Sequence, residues 1–138
     1  PGDLQQKVDP YLRPLFDSLH NIFGSEKTNS LIDKGIIEVV PLAFMRGRTL
    51  EDSLIILDEA QNTTKAQMKM FLTRLGERSK MIVNGDITQI DLKNSNESGL
   101  IDAINTFSDV DQIMFCHLTT EDIVRHTLVQ KIIEAYKN

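Results

Sequence analysis

The stretch that decides the fold is Ser53-Leu54-Ile55-Ile56-Leu57-Asp58-Glu59-Ala60-Gln61-Asn62. Its four apolar residues, β-branched at the centre and closed by two acids, read as a strand from Ser53 to Asp58. Just beyond it, Thr64-Lys65-Ala66-Gln67 has capping-box form, in which the Thr hydroxyl and the Gln side chain satisfy orphan N–H groups at a helix start. Met68, Phe71, Leu72 and Leu75 then supply an apolar helical stripe, and Gly76 stands where a left-handed C-terminal cap is expected. A second strand, Lys80 to Asn84, runs into Gly85-Asp86, and its apolar centre suits cover on both faces. Strand, helix and strand in this order imply a parallel sheet in an α/β fold.

Working outward, Leu4, Val8, Tyr11, Leu12, Leu15, Phe16 and Leu19 fall at helical spacing but are interrupted by Pro10 and Pro14. They predict one kinked helix or two short ones ending near Gly24. Ser25 to Lys34 follows as a short helix, and Gly35 releases the chain into a β-branched strand at Ile36-Ile37-Glu38-Val39-Val40. Leu42 to Asp52 reads as a loop with at most one helical turn. Downstream, Ser98 to Phe107 predicts a helix and Gln112 to Leu118 a strand. Thr119, with Asp122 three residues on, starts a further helix, and Leu128, Val129, Ile132, Ile133 and Tyr136 form an amphipathic end.

The chain has 138 residues, room for one domain with a single core, 1–138. With 41% hydrophobic and 25% charged residues it has a soluble globular balance, and no apolar run approaches the roughly 20 residues that span a bilayer. A net charge of −5 argues against a broad basic surface for nucleic acid, so such contact needs a local patch. Arg46 and Arg48 around Gly47 are one candidate. Lys65, Lys69, Arg74, Arg78 and Lys80 are another, with a solvated helix face as the plainer reading. Cys116, the single cysteine, excludes an internal disulfide and points to a reducing, cytoplasmic setting; we read it as buried packing. Met45, Met68, Met70, Met81 and Met114 likewise read as core. His117 and His126 lack partners at metal-ligand spacing. The opening Pro1-Gly2-Asp3, without an initiator Met or a signal-type segment, reads as the start of an excised piece.

In a parallel sheet, polar groups just past the strand C-termini gather along one edge, where ligands of such folds bind. Asp58-Glu59 and Gly85-Asp86 both have that address. One carboxylate there can hold Mg²⁺ directly or through water, and a second can orient or deprotonate an attacking water. Taken alone, an apolar run ending in Asp-Glu is more often structural.

The fuller text changes that balance. Asp58-Glu59-Ala60-Gln61 followed by Gly85-Asp86-Ile87-Thr88-Gln89 resembles the Walker B and glutamine-bearing motifs of superfamily 1 helicase-type ATPases. Further blocks narrow the resemblance to the PhoH-like family of phosphate-starvation-inducible ATPases. They include Pro1-Gly2-Asp3-Leu4, Met45-Arg46-Gly47-Arg48-Thr49, Gln67-Met68-Lys69-Met70-Phe71-Leu72, Ser98-Gly99-Leu100 and Val124-Arg125-His126, in order along nearly the whole chain.

The resemblance implies a P-loop NTPase-type, superfamily 1 helicase-like parallel sheet flanked by helices, incomplete at its N-terminal side. It implies that Asp58 serves Mg²⁺ on the phosphates of ATP and that Glu59 positions the hydrolytic water. Gln61 and Gln89 sense the γ-phosphate, with Asp86 beside them. Arg125 neutralises phosphate charge from the same subunit or across an interface, or else pairs with Glu121 or Asp122 on its own helix. Arg46 and Arg48 contact nucleotide, RNA or a neighbouring subunit. Thr127 and Asn84 depart from the family's usual Pro and Thr at those places. No G-x-x-x-x-G-K-[ST] occurs in the sequence, and in the family that loop lies upstream.

The expectation is therefore the Walker B half of a cytoplasmic, Mg²⁺-dependent ATPase that works with RNA and forms homo-oligomers, inactive as an isolated piece and prone to self-association through its incomplete sheet. A non-catalytic RNA-binding or ring-forming module is the alternative. A nuclease using Asp58, Glu59 and Asp86 ranks third, because the glutamines suit nucleotide sensing better.

Overall fold

The computed structural model describes residues 12–136. Two α-helices open it: α1 (Arg13–Phe23) and α2 (Ser25–Asp33). After them come strand β1 (Leu54–Leu57), helix α3 (Lys65–Leu72), strand β2 (Lys80–Val83), helix α4 (Gly99–Phe107) and helix α5 (Thr127–Tyr136). The two strands form a parallel sheet, joined through α3 as the sequence predicts. The part of the first helix predicted before Leu12 lies outside the described residues.

The described residues fall into two compact units. The first holds those up to Ile56 together with Lys69–Ile82. There Gly24 ends α1 with φ 79°, its N–H donating to the His20 carbonyl, and the buried Thr28 hydroxyl donates to the Leu19 carbonyl at 3.1 Å. Leu50 and Leu75 form a parallel bridge, extended by the Lys80 N–H donating to the Ser53 carbonyl at 2.9 Å. The Ser79 hydroxyl stitches the same edge, accepting from the Ser53 N–H and donating to the Leu50 carbonyl. Met45 and Phe71 are its buried apolar residues.

The second unit holds Leu57–Met68 and the residues from Val83 onward. Ala60 and Met68 are its buried apolar side chains, and Gln61, Thr63 and Ser98 are buried with them. The capping box is formed as read: the Thr64 N–H donates to Gln67 Oε1 at 2.9 Å, and the Gln67 N–H to Thr64 Oγ1 at 3.2 Å. Lys65 and Asp102 tie α3 to α4 at 3.1 Å.

Several expectations are corrected. Residues 36–40 are not a strand: the N–H groups of Ile36 and Ile37 both donate to the Leu31 carbonyl, and the segment joins no ladder. Residues 112–118 are not a strand either; apart from the half-buried Phe115 they run exposed, with Met114 at 93% and Cys116 open rather than packed. β-branched text makes a strand only beside a pairing edge. β2 is not covered on both faces, since Ile82 is exposed, as are Leu54 and Ile56 of β1. Gly76 lies outside the left-handed region. Its need is space: an added Cβ would stand 2.7 Å from the Leu50 carbonyl oxygen.

Candidate functional site at the strand ends

β1 stops at Leu57 and the chain turns at once. Glu59 sits in the left-handed region, φ 53°, and Ala60–Asn62 closes as a single 3₁₀ turn, with the Asn62 N–H donating to the Glu59 carbonyl at 3.0 Å. A residue other than glycine pays about 1–3 kcal/mol for that conformation, a cost met most often at functional sites. The turn aims two successive carboxylates off one strand end.

Each acid is held by a neutral amide. Asn84 Nδ2 donates to Asp58 Oδ1 at 2.9 Å, and Gln61 Nε2 donates to Glu59 Oε2 at 2.6 Å. Among the described residues, Asp58 Oδ2 and Glu59 Oε1 accept no hydrogen bond, so each acid keeps one oxygen for a ligand or water. Asn84 is fixed in turn by its backbone, whose N–H donates to the Leu57 carbonyl at 2.8 Å and whose carbonyl accepts from the Ala60 N–H at 3.0 Å.

Gln61 is the centre of the arrangement, only 1% exposed. Besides Glu59, its Nε2 reaches the Gln89 carbonyl at 3.2 Å, and its Oε1 accepts the Asp86 N–H at 3.1 Å. Its backbone carbonyl accepts the hydroxyl of Ser98, itself fully buried, at 2.8 Å. Gly85 is required by this packing: a Cβ there would lie 2.7 Å from Gln61 Oε1 and 2.8 Å from Leu100 Cδ2.

The loop after β2 forms its own polar knot. Asp86 accepts the Thr88 hydroxyl at 2.6 Å, the Thr88 N–H at 2.8 Å and the Gln89 amide at 2.7 Å. These donors, the Thr88 hydroxyl foremost, hold the Asp86 carboxyl below the usual carboxylate range. Asn62 Oδ1 accepts the Asp91 N–H at 2.8 Å, joining the two motifs once more.

Asp58, Glu59, Gln61, Asp86 and Gln89, named from sequence, are thus brought into one constellation within the second unit. Asn84 and Ser98 belong to it as well, although the sequence reading gave them no role. For Asn84 the available signal was a polar residue at a strand end, just before Gly85-Asp86. For Ser98, a hydroxyl 37 residues from Gln61, the one local signal was its place in the block Ser98-Gly99-Leu100, which says nothing of its partner.

Among the described residues, none of the three arginines forms a hydrogen bond or ion pair with the residues of this network. Arg48 makes a two-pronged pair with Glu38, at 2.7 and 2.8 Å, and Arg46 is exposed. Arg125 is not helical; it lies in the exposed segment between a 3₁₀ turn, Thr120–Asp122, and α5. Among the described residues it forms no ion pair, and Asp122 is occupied by the N–H and hydroxyl of Thr119. Of the two readings of Arg125, the pairing with Glu121 or Asp122 on a shared helix is not formed among the described residues, and the side chain is an exposed cation.

Chemically, the strand ends offer hard oxygen donors. Among the described residues no three His, Cys, Asp or Glu side chains group to enclose a metal. Mg²⁺ does not require such a cage, because it is held by one or two carboxylates with phosphate oxygens and water. The donor set of Asp58 and Glu59 fits Mg²⁺ carried on a nucleotide, while the chain's own sequence offers no Gly-rich cradle for the phosphates.

Two parallel strands linked through a helix, with carboxylates and amides massed past their C-terminal ends, define a parallel α/β protein whose polar groups gather where ligands of such folds bind. The chain belongs to the PhoH-like protein family, whose model matches residues 1–137. It is 60% identical over 136 residues to a PhoH-like protein of Bacillus subtilis, covering 99% of this chain and 43% of that one. The PhoH-like protein of Synechocystis is also 60% identical over 137 residues, with 99% and 42% covered. Protein PhoH of Escherichia coli K12 is 47% identical over 138 residues, with 99% and 39% covered. The chain thus spans about two fifths of the length of the curated relatives it matches. No helix among the described residues is long and apolar enough to cross a membrane.

Proposed function

We propose that the protein to which this chain belongs binds and hydrolyses ATP with Mg²⁺ on a P-loop NTPase-type, superfamily 1 helicase-like sheet, and that this chain supplies its Walker B and sensing parts. The observation that carries the reading is the strand-end pair Asp58 and Glu59, each held by an amide and each keeping one oxygen that accepts no hydrogen bond among the described residues. Membership of the PhoH-like family supports the nucleotide-binding class.

In this reading Asp58 faces Mg²⁺, directly or through its water, and Glu59 orients the water that attacks the terminal phosphate. When bound, Mg²⁺ neutralises charge that develops on the phosphate oxygens. Asp86 and Gln89 report phosphate loss, their side chains already bonded to each other at 2.7 Å. Arg125, exposed and without an ion-pair partner among the described residues, supplies cationic charge in its own site or a neighbour's, which suits a homo-oligomer. Among the described residues Arg46 forms no ion pair, which leaves it as the cation of the Arg46-Gly47-Arg48 loop for RNA, since Arg48 is committed to Glu38. The cytoplasm is the setting that suits this activity.

The decisive experiment is ATP turnover by the full-length protein, with and without RNA, beside Glu59→Gln. We expect Mg²⁺-dependent hydrolysis, raised by RNA, and a loss of about 10²-fold or more in Glu59→Gln with nucleotide binding kept. Hydrolysis untouched by Glu59→Gln overturns the assignment, and RNA cleavage without ATP revives the nuclease.

A further inference from the structure

Gln61 raises a question that the γ-phosphate-sensing role expected from the sequence does not answer. A sensing side chain must present a donor to the ligand, yet the Gln61 side chain is spent on protein partners. It gives Nε2 to Glu59 Oε2 at 2.6 Å and to the Gln89 carbonyl at 3.2 Å, and it takes the Asp86 N–H on Oε1 at 3.1 Å. Its amide thus has both hydrogens and its carbonyl engaged. At 1% exposure, with Gly85 packed so closely that a methyl would collide with Oε1, it has no room to swing outward. The hydroxyl of Ser98 fixes its backbone from the far side at 2.8 Å.

We infer that Gln61 is a positioning residue that acts through Glu59, a buried strut between the water-orienting carboxylate and the Gly85–Gln89 loop, and makes no contact with nucleotide. Two consequences follow from the bonding. Glu59, strained at φ 53°, keeps its carboxylate direction because Oε2 is tied to a side chain that cannot move. Any displacement of Asp86 or Gln89 is felt at Glu59 through the same amide, since Oε1 and Nε2 belong to one rigid planar group. The loop after β2 thereby sets the aim of the water-orienting acid. Hydrolysis and sensing are coupled through one side chain.

This inference rests on the ATPase reading for its catalytic arm, and a second arm tests the strut without it. In the full-length protein, Gln61→Ala and Gln61→Glu are compared with wild type for turnover and for affinity toward an ATP analogue with a non-hydrolysable β–γ bridge. We expect kcat to fall by about tenfold or more with analogue affinity kept within about twofold. An affinity loss of about tenfold or more in both variants overturns the inference, because Gln61 then meets the ligand.

The second arm is a double-mutant cycle of thermal unfolding without nucleotide, built from Gln61→Ala, Glu59→Ala and the double variant. If the Gln61 amide holds the Glu59 carboxylate, each single variant removes the same bond, and the Tm deficit of the double variant falls clearly short of the sum of the two single deficits. Deficits that simply add overturn the strut. If wild type neither binds the analogue nor hydrolyses ATP, the ATPase reading fails, and the unfolding arm alone decides whether Gln61 holds Glu59.

Discussion

Asn84 Nδ2 donates to Asp58 Oδ1 at 2.9 Å, so the residue just past β2 fixes the acid just past β1. The backbone of Asn84 clasps the same turn, with its N–H on the Leu57 carbonyl and its carbonyl on the Ala60 N–H. Removing the side chain in Asn84→Ala leaves that backbone clasp in place and frees the carboxylate to rotate. We expect a stability loss of only about 0.5–1.5 kcal/mol, since the pair is exposed and water replaces the lost bond. In the full-length protein the Mg²⁺ concentration for half-maximal turnover should rise. Asn84→Thr keeps a donor and should lie closer to wild type, whereas Asn84→Asp sets like charges side by side and should be the worst of the three. A Mg²⁺ requirement unchanged in all three variants would show that Asp58 needs no such support.

Ser98 and Gly99 anchor the turn that carries Glu59 and Gln61. The Ser98 hydroxyl donates to the Gln61 carbonyl, and the Gly99 N–H to the Thr63 carbonyl at 2.7 Å. Ser98→Ala leaves one buried carbonyl short of a partner, a cost of about 1–3 kcal/mol. Gly99→Ala is predicted to be more harmful. Its Cβ would stand 2.6 Å from both Met68 Cβ and the Thr64 carbonyl oxygen, where backbone has to give way. Overpacking of this kind costs about 1–3 kcal/mol and sometimes more. Chemical denaturation measures both variants, and a Gly99→Ala protein as stable as wild type would contradict the packing described.

Acid sensitivity follows from the same site. The Thr88 hydroxyl, the Thr88 N–H and the Gln89 amide depress the folded-state pKa of Asp86. A depressed carboxyl contributes stability that is full above its unfolded value, about 3.9 for Asp, and is lost as the pH falls through the folded value. Asp52, hydrogen-bonded by Arg78, and Glu38, hydrogen-bonded by Arg48, act in the same direction. Stability should therefore drop below about pH 4, and Asp86→Asn should flatten part of that slope while leaving the shares of Asp52 and Glu38. Thermal unfolding from about pH 5 to about pH 2 reads the difference, and superimposable slopes would remove Asp86 from the account.

The elements legible in the sequence were those whose cause is local. The capping box of Thr64 and Gln67 and the glycine stop at Gly24 needed only neighbours along the chain, and both are formed. Residues 36–40 and 112–118 failed for a non-local reason, because β-branched runs become strands only when a pairing edge is at hand. Gly76 was given the wrong cause: it answers to the Leu50 carbonyl, far off in sequence, rather than to a helix cap. The site shows the same division. Strand-end acids could be placed from the text, but the burial of Gln61 and the hydroxyl of Ser98 behind it arise where distant segments meet.

Arg125 carries the prediction that reaches furthest, because its position leaves two mechanisms standing that mixing can separate. It is exposed, outside any helix, and pairs with no acid among the described residues, since Asp122 is engaged by Thr119. An arginine that neutralises the transferring phosphate contributes about 10³-fold or more to turnover. Arg125→Ala in the full-length protein should therefore lose most turnover with little loss of stability, because no ion pair is broken. If the arginine serves its own subunit, mixtures of Arg125→Ala with Glu59→Gln stay inactive, each protomer lacking one part. If it serves a neighbour, mixed assemblies regain activity wherever an intact Arg125 faces an intact Glu59. Turnover by Arg125→Ala equal to wild type would exclude both, leaving Arg125 a solvated surface charge beside α5.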